Sequence, residues 1–311
     1  MRLVNIDEKV QKLSLKTAID EFIGAKKSQG SSELTLKDYN SYLTKFYEVS
    51  SNELDADILK SDCKQFFGAI PNTSPARFNH PYQYINAFLN WCVDAEYISY
   101  NPIKKLGLKK KRDDGHIQSI SIDDAKELLK VMNTHTFAGL RDKTITLIML
   151  DTGMRPKEIF GLVNDDIDFN NACIHVSKQI AKTRTERTVF ISNYTVKHLL
   201  KLIKVKPEIW GDKVITTNEG KDFNVRYLDK QFAKYSKLIG IKITPYQLRH
   251  TFATLYLKNG GNVFTLQRSL GHSDLRMTKR YLDIDNEYLK EQHDNATPLN
   301  QIISTKLSNI D

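Results

Sequence analysis

The sequence lacks the features that mark secreted, membrane-spanning and disulfide-rich proteins. It has three cysteines, Cys63, Cys92 and Cys173, which lie far apart and form no CxxC or Cys/His cluster. Their spacing therefore suggests neither a disulfide framework nor a zinc site. The start, MRLVNIDEKVQKL, has no apolar signal core, and no apolar run approaches the roughly 20 residues of a membrane helix. We expect a cytoplasmic protein with no membrane partner.

The sequence also lacks the residues required for two kinds of phosphoryl transfer, one that uses a nucleotide triphosphate and one that uses two metal ions. The sequence contains no GxxxxGK[ST] loop to cradle a nucleotide triphosphate. It contains no carboxylate cluster suited to a pair of metal ions. We therefore expect a protein that works without a metal and without a cofactor.

Basic residues are what the sequence has in excess. Lysine and arginine number 46 against 37 acidic residues, which leaves a net charge of +9 and a pI of about 9.2. Residues 118–311 carry 29 of these basic residues and 22 of the acidic ones. An excess of this sign favours an anionic partner. Because no membrane segment is present, nucleic acid is a better partner than a bilayer.

The first half of the chain is predicted to be helical. A length of 311 residues predicts two domains. Apolar residues recur at helical spacing throughout residues 15–102, with a third helix over 56–68 and a fourth after Pro81. Thr35 with Asp38 resembles a capping box at the start of the second helix. The block is predicted to end at 101–102, because a proline disfavours helix in the residue before it.

A polar segment rich in cations follows this helical block. Residues 103–117 contain two glycines and few apolar residues, so they are predicted to form a basic interdomain linker. If the chain binds DNA, the cations of this segment are candidate contacts to the DNA backbone: Lys104, Lys105, Lys109, Lys110, Lys111 and Arg112. Residues 1–14 are predicted to be an N-terminal extension.

The second domain, predicted over 118–290, is mainly α with a small antiparallel sheet. Ser121 with Asp124 predicts a helix start. Two short strands flank the polar turn KTRTE. The predicted elements are helices at 139–151, 194–204, 226–239, 247–258 and 262–270, and strands at 172–178 and 187–191. Residues 291–311 are predicted to be a C-terminal tail.

Five short segments of this second block carry the residues with chemical potential. The segments are TGMRPKEIFGL with Arg155 and Glu158, AKTRTERTVFI with Lys182, TPYQLRHTFAT with Tyr246 and Arg249, LGHSD with His272, and KRYLDID with Tyr281. Each segment alone is a weak signal, whereas the ordered set at these spacings is specific.

This set resembles the tyrosine recombinases, also called phage-type integrases, over roughly residues 15–290. That family has an Arg in a TGxRxxE-like segment, a hairpin Lys, an HxxR helix, a His or Trp in an LGH-like segment, and then a nucleophilic Tyr. The resemblance implies a helical core-binding domain and a catalytic domain that form a C-shaped clamp on double-stranded DNA. It also implies strand cutting and rejoining through a 3′-phosphotyrosine link, without metal or ATP.

The residue types suit that reaction. A phosphodiester gains negative charge in its transition state, and forked guanidinium donors at Arg155 and Arg249 can stabilise it. Glu158, one helical turn after Arg155, can orient that guanidinium. Tyr281 is the predicted nucleophile, although a phenol with a pKa near 10 must first lose its proton.

The remaining roles follow from the resemblance. Lys182 is the candidate general acid for the leaving 5′ oxygen, with Lys178 as the competitor. His272 would bind a non-bridging oxygen or assist proton transfer. Tyr246 departs from the family, which usually has His there, and a phenol does not titrate near neutrality as imidazole does. His250 is interpreted as structural, pointing away from the site.

The resemblance also implies a homotetramer on two DNA sites, with accessory DNA-bending or directionality factors as further partners, acting in the bacterial nucleoid. Apolar residues of the tail fall near one helical face and are predicted to dock on a neighbouring protomer; the alternatives are docking on their own domain and a frayed terminus. We expect an integrase or transposase of a mobile element. The alternatives are a chromosome-dimer resolvase or DNA invertase, and a DNA-binding protein with a decayed site. A type IB topoisomerase shares the chemistry but fits the segments less well.

Overall fold

A computed structural model describes residues 13–112, 119–282, 290 and 293–299. The chain divides into two compact units, residues 1–115 and 116–311. The fold is mainly helical with one small antiparallel sheet, which confirms the fold class predicted from the sequence. None of the helices in the described ranges combines the length and apolarity required to cross a bilayer.

The first unit is a set of helices around an aromatic core. Phe22 is fully buried and meets Tyr39, Phe88 and Trp91 edge to face, with ring centroids 5.1–5.6 Å apart. Such edge-to-face pairs add to the free energy of burying the ring area. The helices are α1 (Leu15–Ser28), α2 (Glu33–Tyr47), α3 (Ala56–Gly68), α4 (Pro75–Asp94) and α5 (Pro102–Lys105).

Two predicted helix starts in this unit were wrong. Helix α2 begins after Ser32, whose hydroxyl accepts the N–H of Thr35, so Thr35 is not the cap. Asp38 instead accepts a hydrogen bond from the hydroxyl of Tyr84. Helix α4 begins at Pro75 and contains Pro81, which is buried and removes one backbone donor without ending the helix. The predicted third helix is confirmed at its residues.

The segment predicted to be a linker belongs largely to the first unit. Asn101 caps helix α5, so the Asn-Pro pair starts a helix instead of ending the block. Ile103 is fully buried in the aromatic core. Farther along, Asn79 of α4 exchanges two hydrogen bonds with the backbone of Lys111. Because apolar anchors are embedded among its cations, this segment packs on the unit; residues 113–117 lie outside the described residues.

The second unit surrounds the small sheet with helices. Strands β1 (Ile167–Asp168), β2 (Cys173–Val176) and β3 (Arg187–Phe190) pair antiparallel in that order. The helices are α6 (Ile122–Val131), α7 (Phe137–Thr152), α8 (Pro156–Phe160), α9 (Asn193–Val205), α10 (Val225–Ile239), α11 (Pro245–Lys258), α12 (Val263–Leu270) and α13 (Leu275–Lys279). Short 3-10 turns lie at Asn164–Asp166 and Glu208–Trp210.

Most elements predicted for this unit are confirmed. Ser121 and Asp124 form the predicted capping box of α6. The predicted helices and both hairpin strands match observed elements with small shifts at their ends. The sequence did not predict β1, α8 or α13, which have two to five residues and therefore carry little periodic signal.

The N-terminal extension and most of the tail lie outside the described residues. Of the tail residues predicted to share an apolar face, Leu299 is described and is 56% exposed. The others fall outside the described ranges: Ile302, Ile303, Leu307 and Ile310.

Candidate active site

The end of helix α12 gathers the two predicted arginines. The carbonyl of Leu270 accepts hydrogen bonds from Arg155 Nη1 at 3.2 Å and from Arg249 Nη2 at 2.8 Å. Arg155 also donates to the carbonyl of Gly271, and Arg249 to that of Gly153. The last carbonyls of a helix have no partner within it and form its negative end. They therefore orient both guanidiniums toward one place.

A third arginine, which the sequence analysis did not single out, belongs to the same cluster. Arg187 is the first residue of β3, and its Nε donates to the carbonyl of Ser269 at 2.8 Å. Its side chain is 3% exposed. Inward residues of β3 alternate with outward ones, so Arg187 points inward as Val189 does. The sequence signal that could have identified Arg187 is a charged residue at an inward position of a predicted strand.

Glu158 connects two of these arginines. Its carboxylate accepts Arg187 Nη2 at 2.7 Å and Arg155 Nη1 at 3.1 Å, and it also accepts the backbone N–H of Arg155. Burial alone would raise the pKa of this carboxyl, but the bonds from Arg187 and Arg155 hold it below its ordinary value. Glu158 is therefore an anion at neutral pH, and it fixes the orientation of both guanidiniums.

Arg249 is buried, and its hydrogen bonds within the described residues go to carbonyls and to an imidazole, not to a carboxylate. Burial, together with the neighbouring charge of Arg155, lowers its pKa to about 10. It stays protonated at neutral pH. Besides the carbonyls of Gly153 and Leu270, it donates to Nε2 of His272 at 2.9 Å.

His272 is held as a neutral ring. Burial and the charges of Arg249 and Arg155 lower its pKa to about 4. Its Nε2 accepts from Arg249, so the ring proton lies on Nδ1, which donates to the hydroxyl of Thr278 at 2.8 Å. In this tautomer Nε2 has no proton to donate to a phosphate oxygen. A hydrogen bond from His272 to phosphate therefore requires that Arg249 release this nitrogen and a proton occupy it.

Tyr281 lies just after α13, and its hydroxyl contacts a residue that was interpreted as pointing away. The Oη of Tyr281 is 2.8 Å from Nδ1 of His250. Burial raises the pKa of Tyr281, while Arg249 and Arg280 oppose that shift. The interpretation of His250 as remote was wrong, because α11 turns the residue after Arg249 toward the end of α13.

The two other predicted residues lie at more open positions. Lys182 is exposed in the loop between β2 and β3, as is Lys178. The next residue, Thr183, lines a cleft of about 540 Å³ together with Arg187 and His272. The loop that carries Lys182 therefore borders the cluster.

Tyr246 occupies the first turn of α11, where it is 53% exposed, whereas Arg249 one turn later is 4% exposed. The exposed Tyr246 therefore lies in a different environment from Tyr281, which is partly buried against the cluster of α11 and α12. The substitution of the family's His by Tyr thus falls at an exposed position.

Three side chains with metal-ligand chemistry lie together on the sheet. The ligand atoms of Asp168, Cys173 and His175 all lie within 4.8 Å of one another, and Sγ and Nε2 are 3.8 Å apart. Two ligands of a tetrahedral zinc are about 3.6 Å apart. Strand pairing makes this group, so cysteine spacing did not predict it. Asp168 also accepts backbone N–H groups of the β1–β2 turn. The reaction proposed below does not use this group.

The candidate DNA-contacting cations belong to the first unit. Lys110 Nζ donates to Gln83 at 3.0 Å, and Lys111 Nζ donates to Asn72 at 2.7 Å. Both partners are neutral amides, which do not compensate a lysine charge. The other cations of the segment have exposed side chains: Lys104, Lys105, Lys109 and Arg112.

Comparison with known proteins places this arrangement in a family. The sequence profile of the phage integrase family matches residues 118–287, more than half of the chain. The chain belongs to the phage integrase family, the tyrosine recombinases. It is therefore an enzyme that cuts DNA strands and rejoins them.

Sequence relatives include two recombinases of the Xer type. The tyrosine recombinase XerA of Saccharolobus solfataricus is 39% identical over 174 residues, which cover 54% of this chain and 55% of the relative. The tyrosine recombinase XerC of Thermodesulfovibrio yellowstonii is 27% identical over 291 residues, covering 89% of this chain and 94% of the relative.

Solved structures share the fold at low identity. The Tn1549 transposon integrase in complex with circular intermediate DNA has a TM-score of 0.73 at 17% identity, covering 91% of this chain and 99% of that chain. A λ integrase dimer bound to a core site has a TM-score of 0.71 at 16% identity, covering 85% and 97%. At these identities the likeness shows a common fold.

Proposed function

We propose that this recombinase cuts double-stranded DNA at specific sites through attack of Tyr281 on a single phosphate held by Arg155 and Arg249. The supporting observation is the charge of the buried cluster. Among the described residues, the cluster holds three guanidiniums and one carboxylate: Arg155 and Arg187 contact Glu158, and Arg249 shares the carbonyl of Leu270 with Arg155. Counting only the residues that the structure describes, the cluster keeps an excess of two positive charges, and the charges of Arg155 and Arg249 act on the phenol of Tyr281, as a site for an anion requires.

The arginines supply the electrostatic part of the reaction. The attack forms a bond between Tyr281 Oη and phosphorus and breaks the bond to the 5′ oxygen. Negative charge grows on the non-bridging oxygens, where forked donors from Arg155 and Arg249 stabilise it. Arg187 and Glu158 do not need to touch the phosphate, because their bonds fix the position of Arg155.

The leaving 5′ oxygen takes a proton from Lys182. Its loop borders the cleft that contains His272, so this exposed lysine can approach a bound strand without being buried beforehand. The 3′-phosphotyrosine bond retains the energy of the backbone bond, and no ATP enters the scheme. His272 holds Arg249 in place until phosphate binds.

We further propose that four protomers act on two DNA sites and that the biological role is integration or transposition of a mobile element. The likeness to the Tn1549 transposon integrase supports this role. A second candidate is resolution or inversion by an enzyme of the Xer type, which the sequence relatives named XerA and XerC favour. The lysines and arginine of residues 104–112 contribute salt-dependent contacts to the DNA backbone.

The chemical proposal is tested with a suicide substrate nicked near the crossover, built from DNA that flanks the gene. Wild-type protein should form a covalent adduct that survives denaturation, and Tyr281→Phe should form none while binding the same DNA. Absence of an adduct from wild-type protein on a site that it binds would instead support the decayed DNA-binding alternative.

The biological role is tested by mapping the cut positions. Cuts at the two ends of an element, with a circular joint as product, would support the mobile-element role. Cuts confined to one chromosomal site that recombines with its own copy would support the Xer-type role.

A further inference from the structure

We propose that His250 is the group that accepts the proton of Tyr281 during attack on DNA. This inference rests on the proposed function, because it assigns a role only if Tyr281 is the nucleophile. It gives a catalytic role to a residue interpreted from the sequence as structural. It also moves the acid–base task away from position 246, where the chain has Tyr in place of the family's His.

The contact is built into the fold. His250 belongs to α11, and Tyr281 follows the short helix α13; the two rings lie 5.6 Å apart between centroids. The ring of Tyr281 packs against a small apolar cluster of α11 and α12 that includes Ala253 and Leu270. The backbone N–H of Tyr281 is bonded to the carbonyl of Thr278. The phenol is therefore held from both sides with its Oη 2.8 Å from Nδ1 of His250.

The protonation states on the two sides of this hydrogen bond match a transfer from phenol to imidazole. Burial raises the pKa of Tyr281, so the hydroxyl keeps its proton before attack. Burial and the charges of Arg249 and Arg280 lower the pKa of His250, so its ring is neutral at neutral pH. With its proton on Nε2, the ring presents an unprotonated Nδ1 that accepts from Tyr281.

Tyr246 and His272 are poorer acceptors for this proton. Tyr246 has about half of its surface exposed, whereas the hydroxyl of Tyr281 is in contact with His250. The Nε2 of His272 is engaged by Arg249, and its Nδ1 already carries the proton donated to Thr278. His250 is thus the imidazole whose free nitrogen faces the nucleophile.

The step balances as a proton transfer coupled to substitution. The O–H bond of Tyr281 breaks, its proton moves to Nδ1 of His250, and the phenol oxygen bonds to phosphorus. The bond to the 5′ oxygen breaks, and that oxygen is protonated by Lys182. In rejoining, the same steps run backward, so the imidazolium of His250 returns the proton to the leaving phenol.

DNA itself makes His250 a better base. Within the described ranges, the charged and titratable groups around its ring are Arg249, Arg280, His272 and Tyr281, and the two arginines disfavour an imidazolium. A phosphate held by Arg155 and Arg249 compensates the charge of Arg249 and removes part of that penalty. His250 therefore accepts the proton more readily once a phosphate is bound, which limits ionisation of Tyr281 in the absence of DNA.

The test measures the single-turnover rate of adduct formation on the suicide substrate for wild type, His250→Asn and His250→Ala. Both variants should lose about 10²–10⁴-fold in rate. Free imidazole should restore part of the rate to His250→Ala, and only to that variant. His135→Asn, at an exposed histidine before α7, is the matched control and should react as wild type does.

The outcomes separate the two proposals. If Tyr281→Phe still forms an adduct, the proposed function fails. If wild type uses Tyr281 but both His250 variants react within about threefold of its rate, this inference alone is overturned. A slow His250→Ala variant that keeps the wild-type melting temperature and is rescued by imidazole supports a catalytic base. Slow variants that imidazole does not rescue, and that melt at a lower temperature in the absence of DNA, would overturn the inference in favour of a packing role.

Discussion

The second unit buries one isolated arginine and a cluster of three, and the two differ in how their positive charge is compensated. Arg141 is fully buried, and its Nε and Nη2 both donate to the carboxylate of its neighbour Asp142. Its guanidinium also lies 4.4 Å from the ring centroid of Phe223. In the candidate active site, Arg155 and Arg187 share the carboxylate of Glu158, and Arg249 donates to two backbone carbonyls and to His272.

On the proposed function, this difference separates an arginine that serves the fold from a cluster of arginines that binds or supports a phosphate. A buried cation with its own carboxylate is compensated before anything binds. Cations held by carbonyl dipoles keep an excess charge that a phosphate can compensate. Residue type and burial alone do not distinguish Arg141 from the cluster, because nearly inaccessible arginines occur in both places.

The largest expected effect on stability is at the compensated pair. Arg141→Met leaves Asp142 buried without its cation and should lower the free energy of unfolding by about 3–5 kcal/mol. The double variant Arg141→Met, Asp142→Asn should regain part of this loss. Chemical denaturation measures both. A lower cleavage rate per folded molecule in the single variant would break the comparison, because Arg141 would then serve the reaction as well.

The complementary change is Arg249→Lys, which keeps a charge but loses the forked donors. We expect the rate of adduct formation to fall about 10²–10³-fold. The loss should exceed any change in the fraction of folded protein, measured by denaturation under the same conditions. If the rate falls only in proportion to the folded fraction, Arg249 stabilises the fold and not the reacting phosphate.

The pH dependence of stability sharpens the comparison further. His272 has a pKa of about 4 in the folded protein and an ordinary value of 6.5. As pH falls from 6.5 to 4, the unfolded chain gains a proton that the folded chain does not. The folded state should therefore lose up to about 3 kcal/mol across this window, and less to the extent that solvent screens the ring.

His272→Gln should lack this contribution while keeping the acid sensitivity of the remaining groups. Unfolding free energies of both proteins at pH 4.5, 5.5 and 7 give the difference directly. If the unfolding free energy of the two proteins changes equally with pH, the arginines do not lower the pKa of His272.

The smallest expected effect concerns the glycine that ends α12. Gly271 has φ of +61°, and a Cβ there would lie 3.0 Å from Nη1 of Arg187. Gly240 ends α10 with φ of +73° and meets nothing within 4 Å, so it is the matched control. Both alanine variants should lose about 1–2 kcal/mol from the left-handed backbone.

Gly271→Ala should cost about 1 kcal/mol more than Gly240→Ala and should slow cleavage several-fold, because it displaces Arg187. Thermal or chemical unfolding and the suicide substrate provide the two measurements. Identical losses of stability together with unchanged cleavage would show that Arg187 tolerates displacement.

Local patterns predicted much of the second unit because their causes are local. The capping box of Ser121 and Asp124 involves residues three apart, and it is present. The first unit shows the limit of the same reasoning. Ser32 competes with Thr35 for the start of α2, and packing of α4 accommodates a proline that a local rule treats as a break. Which of two local options is adopted depends on what the helix packs against.

The sequence by itself determined the family, the helical periodicity, and the residue types required for phosphate chemistry, all of which depend on order and short spacing. The tertiary structure decided which arginines contact a carboxylate among the described residues and which histidine faces the phenol. Arg187 meets Glu158 across 29 positions, and His250 meets Tyr281 across 31. Periodicity reaches only about one helical turn along the chain, so contacts at these separations follow from how helices pack and strands pair.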